Sequence, residues 1–506
     1  MAKVNEEKRD NTVSRTAGRV AEVANTFEWV ITALALAFVF RAFVMEAFRI
    51  PTGSMADTLL GAHYRLRCTA CGYKYYYGES SFRKQKNQSQ RRFAQREYSR
   101  CPSCGYLQEV DGSTVSSGDR ILVLKCIYQF DEPRQWDVVV FKNPLDPSEN
   151  YIKRLVGRPG ETVEIIDGDV YINGKISRKP AKAQEELWMS VYDNDYQPAR
   201  PLEPKYNGHT WRQPFTDSQG KWMVEEESPT IFRLNSPPDE VHSLTYDTTA
   251  GNDFRATYAY DEIDDYRFMP YCSDLMVRFW VNSGRPNGQA GATLSKYGIS
   301  YRGRVDFAGQ MTIERLGDGN EPPLSTKSIA PSEVNKSIKF RFANVDHKLV
   351  LEFGDEKVIY DLGLDANDAG ARRTGIEPEA EIFGGGTMTI SHLALFRDIH
   401  YTSGIRSSND PGRATEGNPL KLGPDQFFML GDNSPRSQDG RWWETQGKGN
   451  SGKTYTKGIV PREYLVGKAL FVYWPAGFKP FGQFPLAVIP NFGELRFIYG
   501  GSDYAE

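Results

Sequence analysis

The chain has few cysteines and no excess of either charge. Its 506 residues include six cysteines, and 62 Lys and Arg residues are balanced by 65 Asp and Glu residues, for a formal charge of −3. Disulfide scaffolds need denser cysteine, and nucleic-acid binders usually carry a basic excess. The composition therefore argues against both classes, and we expect no nucleic-acid partner. The length predicts two or three domains.

Long apolar runs are also scarce. The exception is residues 30–40, which read VITALALAFVF, and the apolar trend continues to Val44. Crossing a bilayer takes about 20 residues, so we predict a transmembrane anchor at residues 25–48, with Glu28 and Arg41 at opposite interfaces. No small-residue cleavage site follows, which argues against a cleaved signal peptide. A buried helix of a globular core remains an alternative on length alone.

Basic residues precede this run and predict its orientation. They are Lys3, Lys8, Arg9, Arg15 and Arg19. Because positive charge is retained on the cytoplasmic side, the N-terminus is expected inside and the rest of the chain outside.

Histidine is scarce too, and none of the six histidines belongs to a recognisable catalytic triad motif. A serine hydrolase still needs a nucleophile, a base and an oxyanion donor. Ser54 lies in a Pro- and Gly-containing turn (IPTGSM, residues 50–55) directly after the apolar run. Lys153 lies in a strand-like apolar stretch, YIKRLVG, where burial could lower its pKa from about 10.4 to about 7.

The remaining pattern is that of short and long strands. Residues 118–176 contain β-branched runs punctuated by Gly and Asp, and residues 186–402 contain longer alternating segments without a helical period. The fold is therefore predicted to be mainly β, with a β-rich core and a β-sandwich.

Four of the six cysteines form two CxxC pairs, Cys68 with Cys71 and Cys101 with Cys104. Two such pairs can supply four thiolates to a tetrahedral Zn²⁺, as in a zinc ribbon. Four protein ligands leave no position for water, so this zinc would be structural. Disulfides remain the alternative, because the region should face an oxidising compartment.

These blocks resemble the conserved boxes of type I signal peptidases, in the same order. The matching stretches are residues 50–59, 118–123, 151–160 and 431–441. The resemblance implies Ser54 as nucleophile, Lys153 as general base and Thr52 as an oxyanion-hole hydroxyl. It also implies that Ser437 orients Lys153.

The last box, GDNSPRSQDGR, also implies structural support for the site. Asp439 and Arg441 match an ion pair, and Asp432 and Asn433 belong to the same box. Gly440 stands where the family often has serine, which should alter the turn slightly and leave the chemistry intact.

The resemblance further implies a serine endopeptidase of the bacterial cytoplasmic membrane, single-pass, with its catalytic domain outside. Its partners would be the lipid bilayer and the signal peptides of exported preproteins, and catalysis would need no cofactor. Two alternatives remain: a membrane-tethered binding protein with a protease-like stem, and a self-cleaving serine–lysine protease of the repressor type.

A second, weaker resemblance concerns the large insertion. Its end, TMTISHLALFRDIHYT, is similar to the final strand of concanavalin-like jelly-roll domains. Such a fold does not by itself confer a ligand, so a glycan or protein ligand stays open. Trp474, Phe478, Phe481 and Phe484 would either rest on the bilayer interface or pack in the core.

The expected fold is a signal-peptidase-type β-core with one transmembrane helix, a zinc-ribbon-like insert and an inserted jelly-roll β-sandwich. In chain order we expect a cytoplasmic tail at 1–24, the anchor at 25–48, a first catalytic core segment with the nucleophile at 49–66, the ribbon-like insertion at 67–105, a second core segment with the general base at 106–185, the sandwich at 186–410 and a third core segment at 411–506.

Overall fold

The structure is a computed structural model. It describes residues 22, 24–79, 97–110, 115–199, 210–225, 228–261, 269–317, 321–370, 372–373, 375–402, 412–449, 453–477, 489 and 491–501. The predicted cytoplasmic tail lies outside the described residues apart from Glu22 and Ala24. Phe478, Phe481 and Phe484 of the predicted aromatic surface also lie outside them.

Near the start of the described residues lies an exposed apolar helix, α1 (Ala24–Val44), which is 21 residues long and apolar enough to cross a membrane. It ends in a π-helical turn at Phe40–Val44, and strand β1 (Met45–Arg49) follows at once. The helix ends at Val44, four residues before the end of the predicted anchor at residue 48. The sequence MEAFR places two charges, Glu46 and Arg49, in five residues, and charges are costly inside a membrane span.

Two short hairpins follow and carry the CxxC pairs in their turns. Their strands are β2 (His63–Arg67), β3 (Lys74–Gly78), β4 (Tyr98–Arg100) and β5 (Leu107–Glu109). Each hairpin is antiparallel, and both contribute to one small apolar cluster that includes Tyr64, Tyr77 and Val110. We call this unit the ribbon.

The first long stretch of the core comes next. Its elements are β6 (Arg120–Leu124), α2 (Ile127–Phe130), β7 (Val138–Lys142), β8 (Asn150–Gly157), β9 (Thr162–Ile166), β10 (Asp169–Ile172), β11 (Lys175–Ile176) and α3 (Ala181–Leu187). Strand β7 is a continuous apolar run, VVVF, because both of its faces are covered.

A long β-rich insertion separates this stretch from the C-terminal segment of the core. Its strands are β12 (Met189–Asp193), β13 (Phe215–Thr216), β14 (Met223–Glu225), β15 (Ser228–Asn235), β16 (His242–Tyr246), β17 (Leu275–Ser283), β18 (Gln289–Lys296), β19 (Ile299–Asp306), β20 (Gln310–Leu316), β21 (Ser325–Ser328), β22 (Ser337–Val345), β23 (Lys348–Phe353), β24 (Glu356–Asp361), β25 (Ala380–Gly385) and β26 (Thr387–Arg397).

These strands form two sheets that share one core, so the predicted β-sandwich is confirmed. Among the described residues, one sheet has the order β14-β15-β26-β17-β22-β23-β24 with β12 beside β26. The other has the order β13-β16-β25-β18-β19-β20-β21. Alternate residues of β17, including Val277, Phe279 and Val281, are buried between the sheets. We call this unit the sandwich.

The chain then returns to the core. The last strands are β27 (Leu420–Lys421), β28 (Gln426–Leu430), β29 (Gly447–Lys448), β30 (Thr454–Tyr455), β31 (Val460–Pro461), β32 (Leu465–Trp474) and β33 (Arg496–Phe497), with 3₁₀ turns at Ser434–Arg436, Arg462–Tyr464 and Phe492–Glu494. The described core strands join in the order β1-β6-β32-β7-β8-β28-β31, with β33 beside β32, and a smaller sheet follows the order β11-β10-β9-β27.

The core sheet thus brings together segments far apart in the chain. β1, which leads into the Ser54 turn, pairs with β6, whereas β8, which carries Lys153, pairs with β28, which leads into the last box. The predicted core segments meet in one sheet because their apolar faces share the same buried clusters.

Buried ion pairs lie where the core meets the sandwich. Lys179 Nζ lies 2.6 Å from Asp346 Oδ1 and 2.8 Å from Asp398 Oδ2. Lys296 Nζ contacts Asp274 and lies 3.6 Å from Asp169 Oδ2 on β10. Core and sandwich therefore each supply charge to one network.

Candidate active site

Ser54 lies in the turn after β1, and that turn is held on two sides. The Ile50 N–H donates to Asp119 O (2.8 Å), and the Asn433 N–H donates to Ser54 O (3.1 Å). Ile50 and Met55 are buried as apolar anchors on either side of the serine. The backbone at Ser54 is therefore fixed by the core and by the last box together.

Lys153 points at this serine from β8. Its side chain is buried, with 3 % exposed, and its Nζ donates a hydrogen bond to Ser54 Oγ. Strand β8 is paired on both sides, with Val139 as the direct neighbour of Lys153 on β7. The paired strand and the apolar surroundings fix the amine at the serine hydroxyl, and the structure places the two predicted residues together.

Burial lowers the pKa of Lys153 to about 8, although the negative charges of Asp439 and Asp432 oppose the shift. None of the ion pairs among the described residues involves Lys153. With a pKa of about 8, about one amine in ten is neutral at pH 7. A neutral amine can accept the proton of Ser54 through the contact already formed.

Asp439 and Arg441 form the predicted ion pair, and both side chains are fully buried. The guanidinium donates to both carboxylate oxygens, at 2.9 and 2.7 Å, and the Gly431 N–H donates to Asp439 Oδ2 at 3.0 Å. Burial opposes ionisation of Asp439, but the neighbouring Arg441 holds the pKa of Asp439 below its usual value. Arg441 also donates to Thr402 O at 2.7 Å, so the pair fixes the turn around it.

Asp432 and Asn433 support the site differently. Asp432 accepts two hydrogen bonds from Arg154, at 2.9 and 2.7 Å, and this pair is also buried. Because Arg154 follows Lys153 on β8, the bidentate pair holds the strand against the last box. Asn433 contributes its backbone N–H to Ser54 O, as noted above.

Two more predicted residues, Ser437 and Thr52, lie at the site. Ser437 is fully buried, but no described hydrogen bond joins its hydroxyl to Lys153. Thr52 is exposed and lines the same cleft as Ser54. The roles predicted for Ser437 and Thr52 therefore stay predictions.

Ser54 and Lys153 open into a cleft of about 930 Å³. Its walls come from the Ser54 turn, the start of β8, the end of β3 in the ribbon, and Tyr260 with Asp261 from the sandwich insertion. Sequence reasoning missed Tyr260 and Asp261. No local pattern marks them, because only tertiary packing brings a segment about 200 residues distant to the serine.

The four cysteines of the CxxC pairs meet at one point. Sγ of Cys68 lies 3.7 Å from Sγ of Cys104, Sγ of Cys71 lies 3.7 Å from Sγ of Cys101, and all four sulfurs lie within 4.8 Å of one another. None is in a disulfide. Four thiolates at about 2.3 Å from a tetrahedral zinc would be about 3.8 Å apart. The spacing therefore fits a metal site.

Residues 111–227 and 399–474 match the sequence model of the family described as "Signal peptidase, peptidase S26". The matched stretches contain Lys153 and the whole last box, whereas Ser54 precedes them. The unmatched stretch between them, 228–398, holds the sandwich strands from β15 to β26.

The chain is also similar in sequence to curated proteins named signal peptidase I. The chain is 32 % identical over 166 residues to "Signal peptidase I" of Rickettsia massiliae (strain Mtu5), which is 33 % of this chain and 48 % of the relative. It is 33 % identical over 167 residues to the protein of the same name from Rickettsia typhi (strain Wilmington), with the same coverage of both chains. The chain spans about half the length of these relatives. The comparisons confirm the predicted resemblance to type I signal peptidases.

Solved structures similar to a portion of the chain include a carbohydrate binding module, CBM66, from Bacillus subtilis, with a TM-score of 0.22 and 10 % identity, covering 37 % of this chain and 93 % of the module. Another is sheep galectin-11 in complex with glycerol, with a TM-score of 0.19 and 10 % identity, covering 25 % of this chain and 94 % of the galectin. TM-scores this low support no statement about a ligand.

Proposed function

With the match to peptidase S26 as premise, we propose that the chain is a membrane-bound type I signal peptidase. It would cut N-terminal leader peptides from exported preproteins through a dyad of Ser54 and Lys153. The observation that carries the proposal is the buried contact of Lys153 Nζ with Ser54 Oγ, in the absence of an ion-pair partner for Lys153 among the described residues.

The chemistry follows from that contact. Neutral Lys153 takes the proton of Ser54 as Oγ attacks the carbonyl carbon of the scissile bond, and the carbonyl oxygen becomes an oxyanion. Thr52 Oγ1 and the Ser54 N–H donate to that oxyanion. The protonated Lys153 then gives its proton to the leaving amine, which leaves an acyl ester on Ser54.

Water completes the cycle. Neutral Lys153 accepts a proton from the water that attacks the ester, and the carboxylic acid product leaves as the proton returns to Ser54. Ser437 would restrict the orientation of the Lys153 amine during both steps. Asp439 with Arg441 and Asp432 with Arg154 hold the surrounding turns, and no cofactor takes part.

Helix α1 supports the membrane assignment. We place it across the bacterial cytoplasmic membrane once, with the N-terminus inside and the catalytic domain outside. β1 connects α1 to the Ser54 turn and is five residues long, so it spans about 17 Å. The serine would therefore lie close to the outer surface of the membrane, where leader peptides emerge.

We assign a structural zinc ion to Cys68, Cys71, Cys101 and Cys104. It would tie the two ribbon hairpins together, with all four of its positions taken by protein. Metal analysis of the purified chain should give one zinc per molecule, and Cys101→Ser with Cys104→Ser should lose it. Cys126→Ser is the matched control, because Cys126 lies outside the cluster.

The function is tested with a reporter preprotein and the full chain in detergent. The native protein should release the leader at one junction, identified by mass spectrometry of both products. Ser54→Ala should reduce the rate by roughly 10³-fold or more while the protein remains folded. Ser148→Ala, at an exposed serine before β8, is the control and should cut normally. Equal cleavage by Ser54→Ala and the native protein would refute the dyad, and no cleavage by folded native protein would refute the function.

A further inference from the structure

The connection between β16 and β17 leaves the sandwich and reaches the Ser54 cleft. Two side-chain contacts fix it to the last box. The Tyr258 hydroxyl donates to Asp432 O at 3.0 Å, and Asn433 Nδ2 donates to Asp261 Oδ1 at 2.8 Å. The same two residues of the last box hold β8 and the Ser54 turn, so this connection belongs to the site and is not a distant loop.

Tyr260, between these two anchors, is held at both of its ends. Its hydroxyl donates to Ala62 O at 3.0 Å, beyond the Ser54 turn, and its backbone oxygen accepts from the Gly78 N–H at 2.8 Å, at the end of β3. The side chain is buried in a small cluster with Ala56 and Leu60. The ring cannot swing aside without breaking these contacts.

The ring lies directly against the residue before the nucleophile. A Cβ added at Gly53 would lie 2.1 Å from Tyr260 Cε1, and a Cβ added at Gly78 would lie 2.3 Å from the same atom. Such distances are far below a van der Waals contact, so both positions admit only glycine while the ring is there. The sandwich, the ribbon and the Ser54 turn meet at this ring.

This position has a consequence for a bound peptide. In a near-attack arrangement the scissile carbonyl carbon lies about 3–3.5 Å from Ser54 Oγ. The side chain of the residue that carries this carbonyl therefore lies in the cleft within about one residue's length of Ser54. The ring of Tyr260 touches Gly53 and lines the same cleft.

We propose that Tyr260 is a specificity-determining residue: its clamped ring limits the size of the substrate side chain on the acyl side of the scissile bond. The proposal rests on the peptidase function proposed above. In this chain the size limit is then supplied by the sandwich insertion, and not by the core strands alone.

The test uses reporter preproteins that differ only in the residue before the scissile bond, with Ala, Val or Leu there. The measured quantity is the ratio of kcat/KM for the Leu form to that for the Ala form. This ratio does not depend on the fraction of enzyme that is folded. Tyr260→Leu should raise the ratio by about tenfold or more, because it removes the ring beside the cleft.

Tyr258→Leu is the matched control. Tyr258 is a buried tyrosine of the same connection and bonds to the last box, but it does not line the Ser54 cleft. Its replacement should leave the ratio at the native value even if both rates fall. Tyr260→Phe loses only the bond to Ala62 O, and we expect its ratio to rise by about threefold as the ring gains freedom. This variant decides the question if Tyr260→Leu fails to fold.

The proposal is overturned if folded Tyr260→Leu keeps the native ratio. If Tyr260→Leu does not fold, a native ratio in Tyr260→Phe overturns it instead. It is also overturned if Tyr258→Leu raises the ratio as much as Tyr260→Leu does. These outcomes can be distinguished from failure of the proposed peptidase function. If that function is wrong, the native protein cuts no reporter, or Ser54→Ala cuts as well as the native protein. The inference about Tyr260 is then wrong too.

Discussion

Three lysines of this chain are almost equally buried, but the pKa of one is lowered and the pKa values of the other two are raised. Lys153, Lys179 and Lys296 are 3 %, 8 % and 2 % exposed. At the junction of core and sandwich, burial alone would lower the pKa of Lys179, but Asp346 and Asp398 raise it well above its usual value. Asp274 and Asp169 do the same for Lys296. At the serine, by contrast, the pKa of Lys153 is lowered to about 8.

The difference lies in the partners and not in the burial. Removing an ammonium group from water costs the same kind of free energy at each place, and a contacting carboxylate offsets that cost by favouring the charged form. Lys153 contacts a neutral hydroxyl instead, so its pKa falls to about 8 and a fraction of its amine is neutral at pH 7. Burial against carboxylates thus keeps Lys179 and Lys296 charged, whereas burial against the serine hydroxyl suits Lys153 to its proposed role as a base.

The largest effect expected from this comparison is on activity. Lys153→Met should lower kcat/KM for reporter cleavage by roughly 10³-fold, because the proton acceptor of Ser54 is lost. The free energy of unfolding should stay the same or rise, since an apolar side chain replaces a buried amine. Lys142→Met, at the exposed end of β7, is the control. A large loss of stability in Lys153→Met would mean that this lysine is a structural cation too.

The second effect is on stability: replacing Lys179 should lower the free energy of unfolding and leave activity nearly unchanged. Lys179→Met leaves Asp346 and Asp398 buried without their cation, so the free energy of unfolding should fall by about 3–5 kcal/mol. Denaturant unfolding measures this loss, and kcat/KM of the folded variant should remain near the native value. Lys182→Met, at an exposed position of α3, should change neither quantity. A change below about 1 kcal/mol for Lys179→Met would contradict the proposed contrast.

How much of this the sequence predicts depends on whether the signal is local. The turn IPTGSM, the stretch YIKR and the box GDNSPRSQDGR are local patterns, and the structure brings their residues together. Hydropathy alone extends the anchor to residue 48, beyond the end of the helix at Val44, because the short strand that follows still contains apolar residues. The two charges of MEAFR, Glu46 and Arg49, are the local signal that indicates an earlier end.

The missed features depend on tertiary contacts. Lys179 and Lys296 have no pattern that separates them from surface lysines, and their partners come from four other segments. Tyr260 is likewise one tyrosine among 27 in the sequence. The position of each residue depends on how the sandwich, the ribbon and the core pack together. A single sequence does not show this packing.

The smallest effect concerns a lysine outside both regions. Lys125 Nζ lies 3.1 Å from Glu46 Oε2, and both side chains are about a quarter exposed. Because solvent screens this pair, Lys125→Met should change the free energy of unfolding by less than about 1 kcal/mol. The same denaturant measurement checks it. If Lys125→Met lowered the free energy of unfolding as much as Lys179→Met, the contact with a carboxylate would determine the loss of stability, whether or not the pair is buried.

The pH dependence of kcat/KM for reporter cleavage tests the central claim most directly. In the proposed mechanism Lys153 acts only when neutral, so the rate should rise with pH, about tenfold per unit below pH 7, and level off above a midpoint near 8. A flat profile from about pH 6 to pH 10, or a midpoint near pH 10 as for an ordinary lysine, would contradict the account of Lys153 as a base made neutral by burial.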